Sequence, residues 1–251
     1  MAVSSAGLLS GSSAGSIASL YASQGERGAS ALRRPVEALA RQAEGVKVRL
    51  SAFGQVQSAA ASVQSAARNL QDAKQVSTVA ETKKAAEAFV AAYNNERSAL
   101  ASVTAGSSAG KPAGVLADDG RAQVASSQLQ RTVTDNAAAF RDAGIRIQQD
   151  GSLAVDAKAL EAAYNTNPAA VTQALSNVGR AAEATASRQL SSSGSVGAAV
   201  NNLSNRVQQL ESRQADFQSR ADQSQRAVEA ASRRYGFGAS GTGAYLGIFG
   251  L

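Results

Sequence analysis

The chain has 251 residues, with 25 Lys and Arg against 19 Asp and Glu, a formal net charge of +6, and neither His nor Cys. These absences exclude Ser-His-Asp and Cys-His nucleophile systems, His-ligated zinc, disulfides and thiolate metal sites. Aromatic residues make up only 4% of the chain and Trp is missing, which is poor material for a ligand pocket or a base-stacking surface. We therefore expect no enzyme activity, no cofactor and no metal site.

The composition favours a mainly α fold. Alanine supplies 56 residues, whereas Leu, Ile, Val and Phe together make up about 19% of the chain. Alanine is the best helix former, and few large apolar side chains suit thin helix–helix seams better than a thick core. The net charge is too small to keep the chain expanded, so disorder of the whole chain is not expected.

Residues 1–30 are dominated by Gly, Ser and Ala, which predicts a disordered N-terminal tail. No basic stretch precedes its short apolar pieces, so a cleaved signal peptide is not expected. No segment approaches the roughly 20 apolar residues of a membrane span, so we expect no membrane insertion.

A first long helix is predicted over residues 31–71. From Ala31 onward the apolar residues step by four and three, as in a heptad seam, and Pro35 falls within the first turn, where its missing N–H costs nothing. After Gly54 the seam resumes one step short at Val56, a stammer that overwinds a coiled coil. The seam positions that we expect to mediate oligomerisation are Leu32, Val36, Leu39, Val46, Leu50 and Phe53.

Residues 72–190 are predicted to form a small helical head. Thr78-Val79-Ala80-Glu81 has the form of a capping box, and the helix that it opens carries Phe89, Tyr93, Leu100 and Val103 on one face. Residues 105–114 read as a loop. A further helix is predicted from Asp119 or Gly120 to about Arg141.

The second half of this head contains a predicted β-hairpin over 145–155. Alternating apolar residues flank Asp150-Gly151, a strong signal for a tight turn. Asp156 is expected to cap a helix that runs to about Asn165, and Asn167-Pro168 begins another helix with Val171 and Leu175 facing inward.

The second stalk segment is predicted over residues 191–235, where a hinge-like SSSGS linker at 191–195 precedes a second long helix. Its apolar residues alternate by fours and threes without a slip. Because the two long helices lie at opposite ends of the chain and have similar lengths, we expect them to pair as a long antiparallel coiled-coil stalk. Its seam positions are Val200, Leu203, Val207, Leu210, Phe217, Val228 and Tyr235.

The final stretch, residues 236–251, interleaves glycines with aromatic and aliphatic residues. The glycines disfavour a fixed structure for this segment in isolation, and its apolar side chains favour binding to other apolar surfaces. We interpret it as a flexible tail that orders on meeting a partner.

Two patterns suggest chemistry only superficially. Residues 106–111 resemble a phosphate loop, but the glycines are too close, Pro112 replaces the hydroxyl residue and no strand precedes them. The sequence pI of about 9.9 suggests nucleic-acid binding. However, acids interrupt the stripe of Arg206, Arg213 and Arg220 and aromatic residues do not interleave with it. We expect no nucleic-acid partner.

Three collinear stretches resemble the flagellar hook-associated protein 2 family, the filament cap proteins of bacteria. Residues 32–70 are similar to the N-terminal helix of that family. Phe89-Val90-Ala91-Ala92-Tyr93-Asn94 is close to its FV-x-x-YN helix, and residues 114–118 resemble its G-x-L-x-D motif. Residues 143–175 resemble its GI…DGSL…D…L…A…NP…V…L unit, which joins a hairpin to helices.

The resemblance implies a secreted structural component at the tip of the flagellar filament. It implies export through the type III apparatus, a homo-oligomer (often a pentamer), and promotion of flagellin folding and assembly in support of motility. The implied partners are copies of itself, flagellin, proteins of the hook–filament junction and an export chaperone. The family carries large β-rich outer domains before the FV-x-x-YN helix, whereas here only Gln71–Ala80 bridge the two helices, so those domains are lacking.

Two alternatives remain open at this stage. The chain is either a minimal filament cap or another secreted axial or filament-associated coiled-coil protein that does not cap. An intracellular coiled-coil adaptor is the hypothesis from a different class. Export that depends on the type III apparatus would exclude the adaptor.

Overall fold

The structure, a computed structural model, describes residues 13–72 and 78–234, and it describes side chains for residues 34–72, 78–227 and 230. The fold is mainly α, with one small antiparallel sheet, as the composition predicts. In chain order the elements are α1 (Ser13–Asp72), α2 (Val79–Thr104), α3 (Gly120–Thr134), α4 (Ala137–Asp142), β1 (Ile145–Ile147), β2 (Leu153–Val155), α5 (Ala157–Thr166), α6 (Pro168–Leu190) and α7 (Ser195–Arg234).

The chain divides into two compact units. The central unit comprises residues 45–206, and the terminal unit combines residues 1–44 with residues 207–251, of which 13–44 and 207–234 are described. Parts of α1 and α7 therefore belong to one unit, and the unit boundaries fall inside these two helices. The antiparallel stalk formed by both long helices stays a prediction.

The start of α1 differs from the sequence prediction. The helix begins at Ser13, so residues 13–30 are helical, although their composition predicts a disordered tail. Extending an existing helix adds one hydrogen bond per residue fixed, and Ala and Ser do not oppose this strongly. Pro35 consequently lies inside the helix and not in its first turn, where it removes one backbone hydrogen bond.

Local capping signals are confirmed. Thr78 accepts a hydrogen bond from the Glu81 amide while the Glu81 side chain accepts one from the Thr78 amide, which completes the capping box of α2. Asp156 caps α5 by accepting from the Ala159 amide. Asn167 caps α6 by accepting from the Ala170 amide.

The predicted hairpin is confirmed as well. β1 and β2 pair in antiparallel register, with Ile145 opposite Val155 and Ile147 opposite Leu153. Gly151 has φ +81°, a left-handed conformation that glycine adopts without steric cost. The Gly151 amide donates to the Gln148 carbonyl at 2.9 Å, which closes the turn.

One sequence prediction was wrong before the hairpin. The helix expected from residue 119 or 120 to about residue 141 is interrupted at Asp135 and Asn136, so α3 and α4 are separate. Asn136 instead donates its side-chain amide to the Thr132 carbonyl, a local bond that competes with helix continuation. The SSSGS linker contains a close turn, in which the Gly194 amide donates to the Ser191 carbonyl at 2.9 Å and a Cβ on Gly194 would overlap the Arg188 carbonyl oxygen.

The core of the central unit lies where α1, α2, α3, α4, α6 and the hairpin meet. Its large, fully buried side chains come from α1, α2, α4, α6 and β1, and α3 adds Leu129 and Val133, which are 4% and 2% exposed, so a single core joins segments distant in sequence. They are Phe53, Leu70, Phe89, Tyr93, Leu100, Phe140, Ile145 and Leu175, with Leu116 and Leu160 from the flanking turn and α5.

Candidate functional site

The FV-x-x-YN segment of α2 fastens the hairpin to the helices. The side-chain amide of Asn94 donates to the Leu153 carbonyl and accepts from the Leu153 amide, both at 2.9 Å. These two hydrogen bonds take the place of those that a further strand would make to the free edge of β2. Arg97, one turn of α2 further on, donates to the Asp150 carbonyl and pairs with the Asp150 carboxylate at 3.5 Å.

Phe89 and Tyr93 anchor the same segment in the core. The Phe89 ring is fully buried, with its centroid 6.2 Å from that of Phe140. Tyr93 is 2% exposed and its hydroxyl donates to the Gly151 carbonyl at 3.4 Å. Burial raises the pKa of Tyr93 to about 12, so this hydroxyl remains a donor at physiological pH. The motif residues thus place the hairpin against α2.

Part of the predicted seam lies in the central unit. The Phe53 side chain is fully buried among other core residues, with 0% of its surface exposed to solvent. Val200 and Leu203 are half-buried and pack against the same core. Val46 and Leu50 are half-buried. Phe53, Val200 and Leu203 therefore contribute to the core of the central unit, and the role of the seam in oligomerisation stays a prediction.

The rest of the described seam lies in the terminal unit. Val36 and Leu39 of α1 and Phe217 of α7 are half-buried, whereas Val207 is 9% and Leu210 only 1% exposed. On α7, residues 211–227 are otherwise exposed except at Gln214 and Ala221, which continue the same heptad face. The seam is therefore the covered face of each helix, and its coverage is incomplete away from Leu210.

Three predicted seam positions cannot be placed as side chains. Leu32 and Val228 lie within α1 and α7, but their side chains are outside the described residues, and Tyr235 is outside them altogether. Residues 1–12 of the N-terminal tail predicted over 1–30, and the whole C-terminal tail predicted over 236–251, also lie outside the described part of the chain.

The sequence analysis missed Glu96. This side chain lies on the buried face of α2, between Tyr93 and Leu100, and has 0% exposure. Its position was visible in the spacing, because residues 89, 93, 96, 100 and 103 step by four and three and Glu96 occupies one of these apolar positions. Burial raises its pKa to about 8.

A charged groove lies on the surface of the central unit. This groove of about 810 Å³ is lined by Arg49, Arg121, Arg188, Asp118 and Asp119, and Arg49 pairs with Asp119 at 2.5 Å. Among the described residues, no three Asp, Glu, His or Cys side chains gather as metal ligands. None of the described helices combines the length and the apolarity needed to cross a bilayer.

These contacts define the class of protein by its fold. The motif residues pack a hairpin against helices, and the seam residues cover helix faces, as in a mainly α protein. The model of the family described as flagellar hook-associated protein 2 C-terminus matches residues 56–234. The chain belongs to this family of flagellar structural proteins. No curated protein matches the chain.

Proposed function

We propose that this protein is a minimal filament-cap component of the bacterial flagellum, which promotes flagellin assembly at the filament tip as a homo-oligomer. Family membership over residues 56–234 supports a flagellar role. The observation that carries the finer proposal is the partly covered seam of the terminal unit. Export through the type III apparatus, pentameric assembly and an export chaperone belong to the same proposal.

The seam supports assembly for an energetic reason. Each Å² of apolar surface removed from water contributes about 25 cal/mol. Half-buried side chains such as Leu39 and Phe217 still expose apolar surface, and a neighbouring subunit that covers it would gain this stabilisation. Polar or charged residues dominate the remaining surface of α7 beyond Leu210. An additional helix would therefore pack along the seam and leave the polar flanks in water.

One observation favours a second candidate, a secreted axial protein that does not cap. Only residues 73–78 separate α1 from α2, so no β-rich domain lies between them. The resemblance assigns formation of the cap plate to such domains. A protein without them could associate with the filament through its helices alone.

Deleting the gene distinguishes the two candidates. If the protein caps, cells without it lose their filaments and release unpolymerised flagellin into the medium. Normal filaments in the deletion strain would overturn capping and favour the second candidate. Microscopy of the cells and quantification of flagellin in the culture medium measure the two outcomes.

A matched pair of variants tests the role of the seam. Phe217→Asp places a charge on the partly covered seam, whereas Val124→Asp places one at a 49% exposed valine of α3 in the central unit. Native mass spectrometry of both purified proteins, with circular dichroism as a check of folding, should show oligomers lost in the first variant and retained in the second. Oligomers that persist in folded Phe217→Asp would contradict assembly through the seam.

A further inference from the structure

A small cavity lies in the core of the central unit beside Glu96. Its volume is about 10 Å³, and it is enclosed by residues of α1, α2, α3 and α6. Most of its wall is apolar, but five side chains with polar groups also reach it. The lining residues are Val63, Tyr93, Glu96, Leu129, Thr132, Ala182, Thr185, Ala186 and Gln189.

Two of these polar groups lack hydrogen-bond partners among the described residues. Both carboxyl oxygens of Glu96 and the side-chain carbonyl oxygen of Gln189 are buried without a donor. Glu96 is 0% and Gln189 1% exposed. The other end of Gln189 is satisfied, because its Nε2 donates to the Ala125 carbonyl at 3.0 Å. The orientation of the Gln189 amide is thus fixed, with its oxygen left as an acceptor.

Acceptors alone cannot satisfy one another. A buried polar group without a partner destabilises the folded state, and a buried charge does so more strongly. The site therefore requires donors that the described protein groups do not supply. A water molecule carries two donors, and a neutral carboxyl group carries one.

The cavity has room for one such molecule. A cavity of about 10–15 Å³ accessible to a water-sized sphere holds a single water, provided that two to four polar partners surround it. We propose that one water molecule occupies this cavity and, together with an uncharged Glu96, forms a polar lock that joins α2 to α6. The water donates to the Gln189 carbonyl oxygen and is held by the Glu96 carboxyl group.

Two threonines extend the lock to α3. Thr185 Oγ1 lies 2.8 Å from Thr132 Oγ1 and accepts from Arg188 Nη2 at 3.0 Å. Thr132 can also donate to the Gln128 carbonyl at 3.0 Å. When it does, the Thr185 hydroxyl proton is available either to Thr132 or to the water. The polar lock therefore connects three helices through neutral groups.

The surroundings of Glu96 keep its carboxyl group uncharged. Val63 of α1, and Leu129 and Thr132 of α3, bring no charge to the cavity. On α6 the lining residues are also uncharged, and the guanidinium of Arg188 reaches the cavity only through Thr185. On α2 the titratable group that lines the cavity beside Glu96 is Tyr93, and the adjacent Arg97 pairs with the Asp150 carboxylate.

Loss of the proton would weaken the lock. Desolvation raises the pKa of Glu96 from 4.5 to about 8, so the folded protein holds a proton that the unfolded chain releases above about pH 4.5. Between these two values the folded state binds more protons than the unfolded state, so stability falls as the pH rises. For one proton the folding equilibrium constant falls by about tenfold per pH unit across this window.

Glu96→Gln tests the proton, with Glu87→Gln on the exposed face of α2 as the matched control. Urea unfolding of the full chain is measured at several pH values between 5 and 8, a range inside the window set by the Glu96 pKa. In the wild type we expect the folding equilibrium constant to fall by up to about tenfold per pH unit because of Glu96. Glu96→Gln should lose this part of the pH dependence, and Glu87→Gln should retain it. An equal dependence in wild type and Glu96→Gln would overturn the proposal.

Two measurements on the wild type complete the test. An infrared band of a protonated carboxyl group that persists at pH 6 and is absent from Glu96→Gln would support the uncharged acid. Its absence from the wild type would overturn it. A high-resolution crystal structure should show one water within hydrogen-bond distance of both Glu96 and Gln189, and an empty cavity would overturn the polar lock.

Discussion

The helices of the central and terminal units share the same apolar periodicity, but their apolar side chains are buried to different extents. In the central unit, side chains such as Phe53, Phe89 and Phe140 are removed entirely from solvent. Among the described side chains of the terminal unit, an exposed fraction below one tenth is reached only at Ala43, Val207 and Leu210. A heptad pattern therefore indicates which face of a helix is covered, but the number of surrounding elements decides how completely.

This difference separates stability from assembly. A core enclosed by several helices and a hairpin obtains its burial within one chain, whereas a seam between two helical segments leaves apolar area along its flanks. Substitutions in the central unit should consequently affect folding of the isolated chain. Substitutions along the terminal seam should affect association with copies or partners.

The largest expected contrast is between two phenylalanines. Phe89→Ala should lower the free energy of unfolding by about 3–5 kcal/mol, because it removes a fully buried ring and its contact with Phe140. Phe217→Ala in the terminal unit should cost about 1 kcal/mol or less in a monomeric sample, since its side chain is only half-buried. Urea denaturation followed by circular dichroism measures both. Equal losses would show that the two units are packed alike.

A smaller effect is expected at the hairpin. Asn94→Ala removes both hydrogen bonds to Leu153 and leaves its backbone amide and carbonyl without those partners, for a loss of about 2 kcal/mol. The exposed neighbour Asn95 provides the control, and Asn95→Ala should change stability by less than about 0.5 kcal/mol. Hydrogen exchange should accelerate at residues 145–155 in the first variant alone. Unchanged exchange there would contradict the role of Asn94 in holding the hairpin.

The elements that could be predicted from the sequence depend on local chemistry. Thr78, Asp156 and Asn167 cap helices with side chains that bond amides only three residues away, and Asp150-Gly151 specifies a turn through its own conformational preferences. Such signals are complete within a few residues. Their predicted and observed boundaries agree for that reason.

The remaining features depend on contacts between distant parts of the chain. Asn94 and Leu153 meet only because the core brings α2 and the hairpin together. Glu96 occupies a position on the apolar face of α2 that the sequence makes visible. Only the folded core shows that the other side chains lining its cavity are uncharged. The early start of α1 and the break before α4 reflect cooperative extension and side-chain competition, which composition alone does not resolve.

The smallest predicted effect concerns how closely helices approach in the central unit. A Cβ on Gly179 of α6 would lie 2.6 Å from the Ala67 carbonyl oxygen and 3.1 Å from Leu70 Cβ, both on α1, whereas a Cβ on Gly45 of α1 would meet nothing within 4 Å. In a helix, Gly→Ala ordinarily stabilises by up to about 1 kcal/mol. Gly45→Ala should follow that rule.

At Gly179 the sign should reverse. The backbone of α1 cannot rotate away as a flexible side chain would, so Gly179→Ala must separate the two helices at a cost of about 1–3 kcal/mol, against a propensity gain of about 1 kcal/mol. Thermal unfolding of both variants should give a lower melting temperature for Gly179→Ala and a higher one for Gly45→Ala. If both substitutions stabilise the protein, α1 and α6 are not in the close contact that defines the central core, and its difference from the terminal seam would be one of degree.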